Sequence, residues 1–366
     1  MAENSPVALY IHFPYCKSRC PYCDFFRFLK PRDFDEKLLI TRYHQDLVYF
    51  AELLGNRPVH TIFFGGGTPS LLSPDAVQQI LDDVAHCFTI QTGAEISLEA
   101  NPNTFDRDKF TAFHKSGINR LSLGVQALNA DDLKFLGRTH SLDDAKQAME
   151  LAVNTFEKSS IDLIYARPGQ TWESWNGEID EALAYSFKHI SLYQLTIEEN
   201  TVFARKNIRP LDDEKAVTLY NKTISYLRKR GFERYEVSNF AANDKEQSQH
   251  NLVYWQGGDY VGIGEGAHGR VRVNGKILAT VDGKIVEEIK PKERAEELLF
   301  MGLRLKVGIN DELFYQACGI PLFKFVNNLA IKRLAQLNLL CYDAHNIRLT
   351  DRGFLVMDKI VLELVS

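Results

Sequence analysis

Along the first two-thirds of the chain, short runs of β-branched, aliphatic and aromatic residues alternate with longer stretches whose apolar positions recur every three or four residues. The short runs fit strands and the long ones amphipathic helices. The strand candidates are VALYIHF (7–13), VHTIFF (59–64), AEISLEA (94–100), NRLSLGV (119–125), SIDLIYA (160–166) and HISLYQL (189–195). Helices are predicted over 33–55, 73–88, 141–156 and about 212–230, with a short strand near RYEVSNF (234–240). Several of these helices open on Ser or Asp at the N-cap position, and the first closes on Gly55. Alternation of this kind implies βαβ crossovers and an α/β fold around a parallel sheet, either doubly wound or curled into a barrel.

The last periodic block has a different order. Helices are expected at 292–303, 310–317 and 322–337, then two short strands around a turn in LLCYDAHNIRLT, then a final helix in TDRGFLVMDKIVLELV. Helices followed by a hairpin suggest a small, α-rich, winged-helix-like domain. Such domains often read nucleic acid, but this block carries no dense Lys/Arg stripe, so no nucleic-acid partner is expected. Between the two regions, 239–290 is rich in Gly, Asn and Gln and studded with aromatics. The chain is therefore divided into a core (1–238), a connecting segment (239–290) and a C-terminal domain (291–366).

Composition adds boundaries rather than identity. A net charge of −5 over 366 residues gives no general attraction to nucleic acid or acidic lipid. The start MAENSPVALYIHF lacks the pattern of a secretory signal, and no stretch approaches the roughly 18 apolar residues that cross a bilayer. A cytoplasmic protein without a transmembrane segment is expected; peripheral membrane contact stays open. Six cysteines in so long a chain do not make a disulfide framework. Cys87, Cys318 and Cys341 lie far apart among apolar neighbours and are expected to be buried.

Unusual polar and glycine residues recur where the predicted strands end. The first strand runs into a cysteine loop, the second into GGGTPS, and the third ends at Glu99. The fourth ends at Gln126, the fifth carries Asp162, and the sixth ends at Thr196. Loops after parallel strands build the working face of a barrel, so this series implies one shared pocket. Gly65, Gly66 and Gly67 exceed what a turn needs, which points to close backbone contact with a ligand. The Lys-Ser/Thr ending of a Walker loop is absent.

The cysteine loop, HFPYCKSRCPYCDFFRF (12–28), places Cys16, Cys20 and Cys23 in eight positions with no fourth nearby. A [4Fe–4S] cluster normally takes four thiolates, so three would leave one iron open to an exogenous chelate. Two alternatives stand beside this: a Cys3His zinc site completed by His12, and three inert core thiols.

YIHFPYCKSRCPYCDF resembles the C-x3-C-x2-C signature of the radical S-adenosylmethionine (SAM) superfamily. GGGTPS, SLEANP, LSLGVQ, LGRTH and DLIYARPGQT follow in the order of the subgroup that holds oxygen-independent coproporphyrinogen III oxidase and the haem chaperones. The resemblance covers nearly the whole chain and implies a partial (β/α) barrel. It further implies that Cys16, Cys20 and Cys23 ligate a [4Fe–4S] cluster whose fourth iron chelates SAM. Gly66, Gly67 and Thr68 would then meet the methionine ammonium and Arg138 its carboxylate. Glu99 would place negative charge near that cation, with Gln126 and Asp162 on the ribose. Tyr10 and Tyr22 would flank cluster and adenine, and Thr196 would line the adenine side.

Within the subgroup, three features favour a haem chaperone over the oxidase. The oxidase has a further cysteine just after the triplet, where Asp24 and Phe25 stand here. Its N-terminal arm has no counterpart, because Cys16 comes too early. The third feature is HNLVYW (250–255), which resembles the H-N-x-x-Y-W signature of chaperones of this subgroup. That resemblance makes His250 the candidate axial ligand of haem, with Tyr254 and Trp255 covering the macrocycle. His268 is a second candidate. The expected activity is delivery of haem to an acceptor protein, a respiratory haem enzyme being one class. Radical SAM decarboxylation in porphyrin synthesis is the alternative.

Overall fold

The computed structural model describes residues 5–104 and 106–365. Its centre is a run of six parallel strands: Val7–Phe13, Val59–Gly66, Ile90–Ala100, Arg120–Gln126, Lys158–Tyr165 and His189–Gln194. Their order in the sheet follows their order in the chain. A doubly wound sheet would reverse direction at a switch point; this one winds continuously, as a barrel does. It does not close. Beyond the first strand lie Tyr260–Ile263 in parallel and then three antiparallel strands, His268–Val273, Lys276–Val281 and Lys284–Ile289. Beyond the sixth lie Asn239–Ala241 and Glu233–Arg234, both antiparallel.

Strand side chains alternate between two environments. Leu9, Ile11, Ile62, Phe64, Leu121, Leu123, Ile161 and Leu163 are fully buried in the main apolar core. The intervening positions carry Tyr10, His12, Thr61, Ser97, Glu99, Ser122 and Asp162. The barrel interior is therefore polar, and the apolar core lies between sheet and helices. The helix Glu36–Leu54 shows how the outer layer is made. Leu39, Tyr43, Leu47, Phe50 and Leu54 form its buried stripe. Asp35 caps its start by accepting the N–H groups of Lys37 and Leu38, and Gly55 ends it at φ 62°. Phe50→Ala alone would cost about 3–5 kcal/mol of stability.

The antiparallel extension is held to the barrel by a buried ion pair, Arg57 to Asp259 at 2.7 Å, and Arg57 also donates to the Arg272 carbonyl at 3.0 Å. Two-residue turns at Asn274-Gly275 and Asp282-Gly283 join its strands, with positive φ at all four positions.

The C-terminal region has its own apolar core, built from helices such as Pro291–Gly302, Asp311–Cys318 and Met357–Val365 around a small sheet of Ile309–Asn310, Leu340–Tyr342 and Asn346–Leu349. The helix expected over 322–337 is two, Leu322–Phe325 and Asn328–Gln336. Asn327 starts the second by accepting the N–H groups of Leu329 and Ala330. Two cysteine expectations are corrected: Cys318 is buried, but Cys87 is half-buried and Cys341 exposed.

Candidate functional site

At the C-terminal rim of the six strands lies a cavity of about 370 Å³. Cys16, Cys20 and Cys23 line one side of it, with Tyr22, Gly66, Gly67, Thr68, Glu99, Gln126, Arg138, Asp162 and Thr196. Residues from six successive strand ends thus meet in one chamber. Gly66 adopts φ 108°, and a Cβ there would stand 2.6 Å from the His12 ring. A Cβ on Gly67 would stand 2.5 Å from the Tyr15 carbonyl oxygen. The glycine run therefore lets the second strand press against the cysteine loop, where Gly67 donates to the Phe13 carbonyl and Thr68 to the Tyr15 carbonyl.

A chain of hydrogen bonds joins two of the cysteines. Thr68 Oγ1 donates to Cys16 Sγ at 3.5 Å, and Asn101 Nδ2 donates to Thr68 Oγ1 at 3.0 Å. Arg138 donates to Asn101 Oδ1, to the Gly124 carbonyl at 2.8 Å and to Cys20 Sγ at 3.4 Å. The third thiol has its own cation: Arg27 Nε donates to Cys23 Sγ at 3.1 Å. Burial pushes the Cys16 and Cys23 thiols up, and Arg27 draws both back toward the thiolate. Arg27 and Asn101 were not singled out in the sequence. Asn101 stands beside Glu99 in EANP, which was a usable signal; Arg27 offered none.

On the opposite wall, Glu99 Oε2 accepts the Gly66 N–H at 3.2 Å. Burial first, and the nearby Asp162 charge second, push Glu99 up to about 8. Burial likewise raises Asp162 to about 6, against hydrogen bonds from Ser191 and Ser122 that favour its ionised form. Neither forms an ion pair among the described residues. Chemically, the chamber offers thiolates on one wall, carboxyls able to receive a cation on another, and an arginine between them.

Four expected residues lie elsewhere. Tyr10 does not line the cavity, because its hydroxyl turns to His12 Nδ1 at 3.0 Å. The other His12 nitrogen, Nε2, meets the Phe26 carbonyl at 3.1 Å, so His12 has no nitrogen left to complete a Cys3His set. His250, Tyr254 and Trp255 sit on a helix, Gln249–Trp255, rather than in a loop. His250 is 1% exposed, stacks on Phe63, and engages Thr61 Oγ1 at 2.8 Å and the Tyr254 hydroxyl at 2.6 Å. Burial lowers it to about 3. In this seat both ring nitrogens are already engaged, which stands against the expected axial ligation of haem by His250. Trp255 lies under the Arg304 guanidinium, 4.7 Å from its ring centre.

Comparison with known proteins gives these features their class. A model of the radical SAM superfamily matches residues 10–182, and one of the HemN C-terminal domain matches 289–356. The structure of coproporphyrinogen III oxidase (HemN) from Escherichia coli superposes with a TM-score of 0.83 over 100% of this chain and 91% of that one. At 20% identity that likeness shows the shared fold alone. The chamber is thus that of a radical SAM protein.

Curated relatives are nearer in sequence. The haem chaperone HemW of Haemophilus influenzae is 33% identical over 99% of this chain and 98% of its own length. HemW of Escherichia coli K12 is 42% identical over 76% of this chain and 74% of its own. The mitochondrial radical S-adenosyl methionine domain-containing protein 1 of Bos taurus is 36% identical over 98% and 87%. This chain belongs to the HemW family of the radical SAM superfamily.

Proposed function

We propose that this chain is a haem chaperone that holds haem and passes it to an acceptor protein, with a [4Fe–4S] cluster and SAM housed in the rim cavity. The residues fit those groups. Cys16, Cys20 and Cys23 converge with hydrogen-bond donors on all three sulfurs, which suits thiolates carrying iron. SAM carries an ammonium, a sulfonium and a carboxylate. Glu99 supplies a carboxyl for a cation, Asp162 one for the ribose hydroxyls, and buried Arg138 has an Nε without a partner for an anion. Gly66, Gly67, Thr68, Tyr22, Gln126 and Thr196 complete the SAM wall. A reduced cluster with SAM supplies one-electron chemistry; the chain's own residues bind, orient and shield it.

The observation that carries the chaperone reading over the oxidase is that Asp24 and Phe25 line the cavity directly after Cys23, where the oxidase subgroup has a further cysteine. The division at 238/239 and 290/291 and a cytoplasmic setting belong to the same reading. No described helix is long and apolar enough to cross a membrane. The cattle relative's name is mitochondrial, so fractionation is the check on compartment. Reconstituted anaerobic protein, given SAM, a reductant and coproporphyrinogen III, is expected to form no protoporphyrinogen. Haem-loaded protein mixed with an apo haem enzyme is expected to transfer its Soret absorbance to that acceptor. Catalytic turnover in the first assay would replace this reading with the oxidase.

A further inference from the structure

The chain shows an apolar patch just outside the cavity. Phe25, Phe26, Phe28 and Leu29, which follow the last cysteine of the triplet, are 65%, 47%, 39% and 51% exposed. Phe26 and Phe28 meet edge to face at 5.2 Å, forming a continuous aromatic surface rather than isolated side chains. Clustered exposure of large apolar groups marks a recognition site.

Two further features border this patch. The Phe26 ring packs on Gly266, where a Cβ would stand 2.2 Å from it. Two residues on from that contact, on the strand His268–Val273, is His268. Its side chain is exposed, and its ring has no hydrogen-bond partner among the described residues. The Phe26 contact with Gly266, and the His12 ring that holds the Phe26 carbonyl, bring the start of this strand up to the loop. The second feature is charge. Between 17 and 32 the chain carries five cations against one carboxylate, Asp24, although the whole chain is at −5. Lys17, Arg19, Lys30 and Arg32 are all exposed.

An exposed aromatic surface, an imidazole without a hydrogen-bond partner among the described residues and a cationic border together suit a ligand that is planar and apolar, carries iron and bears negative groups at its edge. We propose that the Phe25–Leu29 face is the haem-docking surface, with His268 as axial ligand and the basic border receiving the propionates. This rests on the haem chaperone reading and names the place where cargo sits. It lies at the cavity mouth, because Phe25 belongs to both.

The test is a ferric haem titration of the full, cluster-reconstituted chain, followed by Soret absorbance and EPR. His268→Ala and the double variant Phe25→Ser/Phe28→Ser are compared with wild type, with far-UV circular dichroism and cluster absorbance as folding checks. His268→Ala is expected to lose the histidine-ligated spectrum and bind about tenfold more weakly, and the double variant to weaken binding about tenfold with ligation kept. Haem dimethyl ester, which lacks the charges, is expected to bind less tightly and with less dependence on salt. Wild-type spectra and affinities in both variants would overturn the surface. So would a spectrum lost in His250→Ala but kept in His268→Ala, which leaves the chaperone reading standing. Wild-type protein that binds no haem would remove the chaperone reading itself.

Discussion

The Glu95 carboxylate accepts the Gln249 backbone N–H at 2.8 Å, so a barrel strand caps a helix 154 residues further along the chain. The same carboxylate faces Arg120 at 3.4 Å and Lys158 at 3.3 Å. Arg120 and Lys158 open their strands and Glu95 lies midway along its own, opposite Thr61, and the helix carrying His250 packs on this side of the barrel. Glu95→Ala would leave the Arg120 charge buried without its carboxylate and the N–H groups of Gln249 and His250 without their acceptor, with only the Ser248 cap remaining. A loss of about 3–5 kcal/mol is expected in urea unfolding, with Glu95→Gln less severe. An Ala variant as stable as wild type would show that the helix is seated by other contacts.

Gly67→Ala drives a methyl group into the Tyr15 carbonyl, a backbone atom with nowhere to move. The expected result is about 1–3 kcal/mol lower stability and less iron retained per chain after reconstitution. Gly177 provides the control. It lies in the helix Trp172–Ala184 with nothing within 4 Å of an added Cβ, and alanine there is expected to stabilise by about 0.5–1 kcal/mol. Equal iron content in wild type and Gly67→Ala would detach the glycine run from the cluster loop.

The pH dependence follows from Glu99 and Asp162. The unfolded chain releases these protons near pH 4. The folded chain holds them to about 6 for Asp162 and about 8 for Glu99. Between these values the folded state binds more protons at this pair, so its contribution to stability is fully present below pH 4, falls as pH rises to about 8, and then levels. A cation seated beside the pair favours the ionised forms. On the proposed reading, SAM binding at pH 7 therefore releases protons and tightens between about pH 6 and 8. Calorimetry in buffers of different ionisation enthalpy measures this directly, and zero proton release would take Glu99 out of the cation site.

Arg27 donates to Cys23 Sγ and also reaches the carbonyls of Cys20 and Cys23, at 3.2 and 2.9 Å. A fixed positive charge beside one thiolate makes added electron density on a cluster easier to hold. Arg27→Gln is expected to keep the cluster and lower its reduction potential by on the order of tens of millivolts, read in an EPR-monitored redox titration. An unchanged potential would leave Arg27 as a clasp of the loop alone.

The sequence disclosed the six strands because each buries one apolar face, and that burial enforces the two-residue period on which the reading relied. It disclosed much of the chamber for a related reason: polar residues at apolar strand ends stand out. Tyr10 misled because it shares the strand with His12 and bonds to it instead of facing the cavity. The helix at His250 was missed because about two turns leave little periodicity, although Ser248 at the N-cap and the four-residue spacing of His250 and Tyr254 were available signs. The strands from 268 to 289 were not predicted, although Asn-Gly and Asp-Gly between alternating runs were available signs. Asn327 splitting a predicted helix in two shows how a local cap outweighs a favourable stripe.

Because the greasy side of every central strand looks outward, what holds the barrel's shape and what fills its hollow are separate sets of atoms. Substitutions inside the hollow can change which guests are welcome without loosening the outer clasp. Related chains can therefore diverge in chemistry while their skeletons stay superimposable.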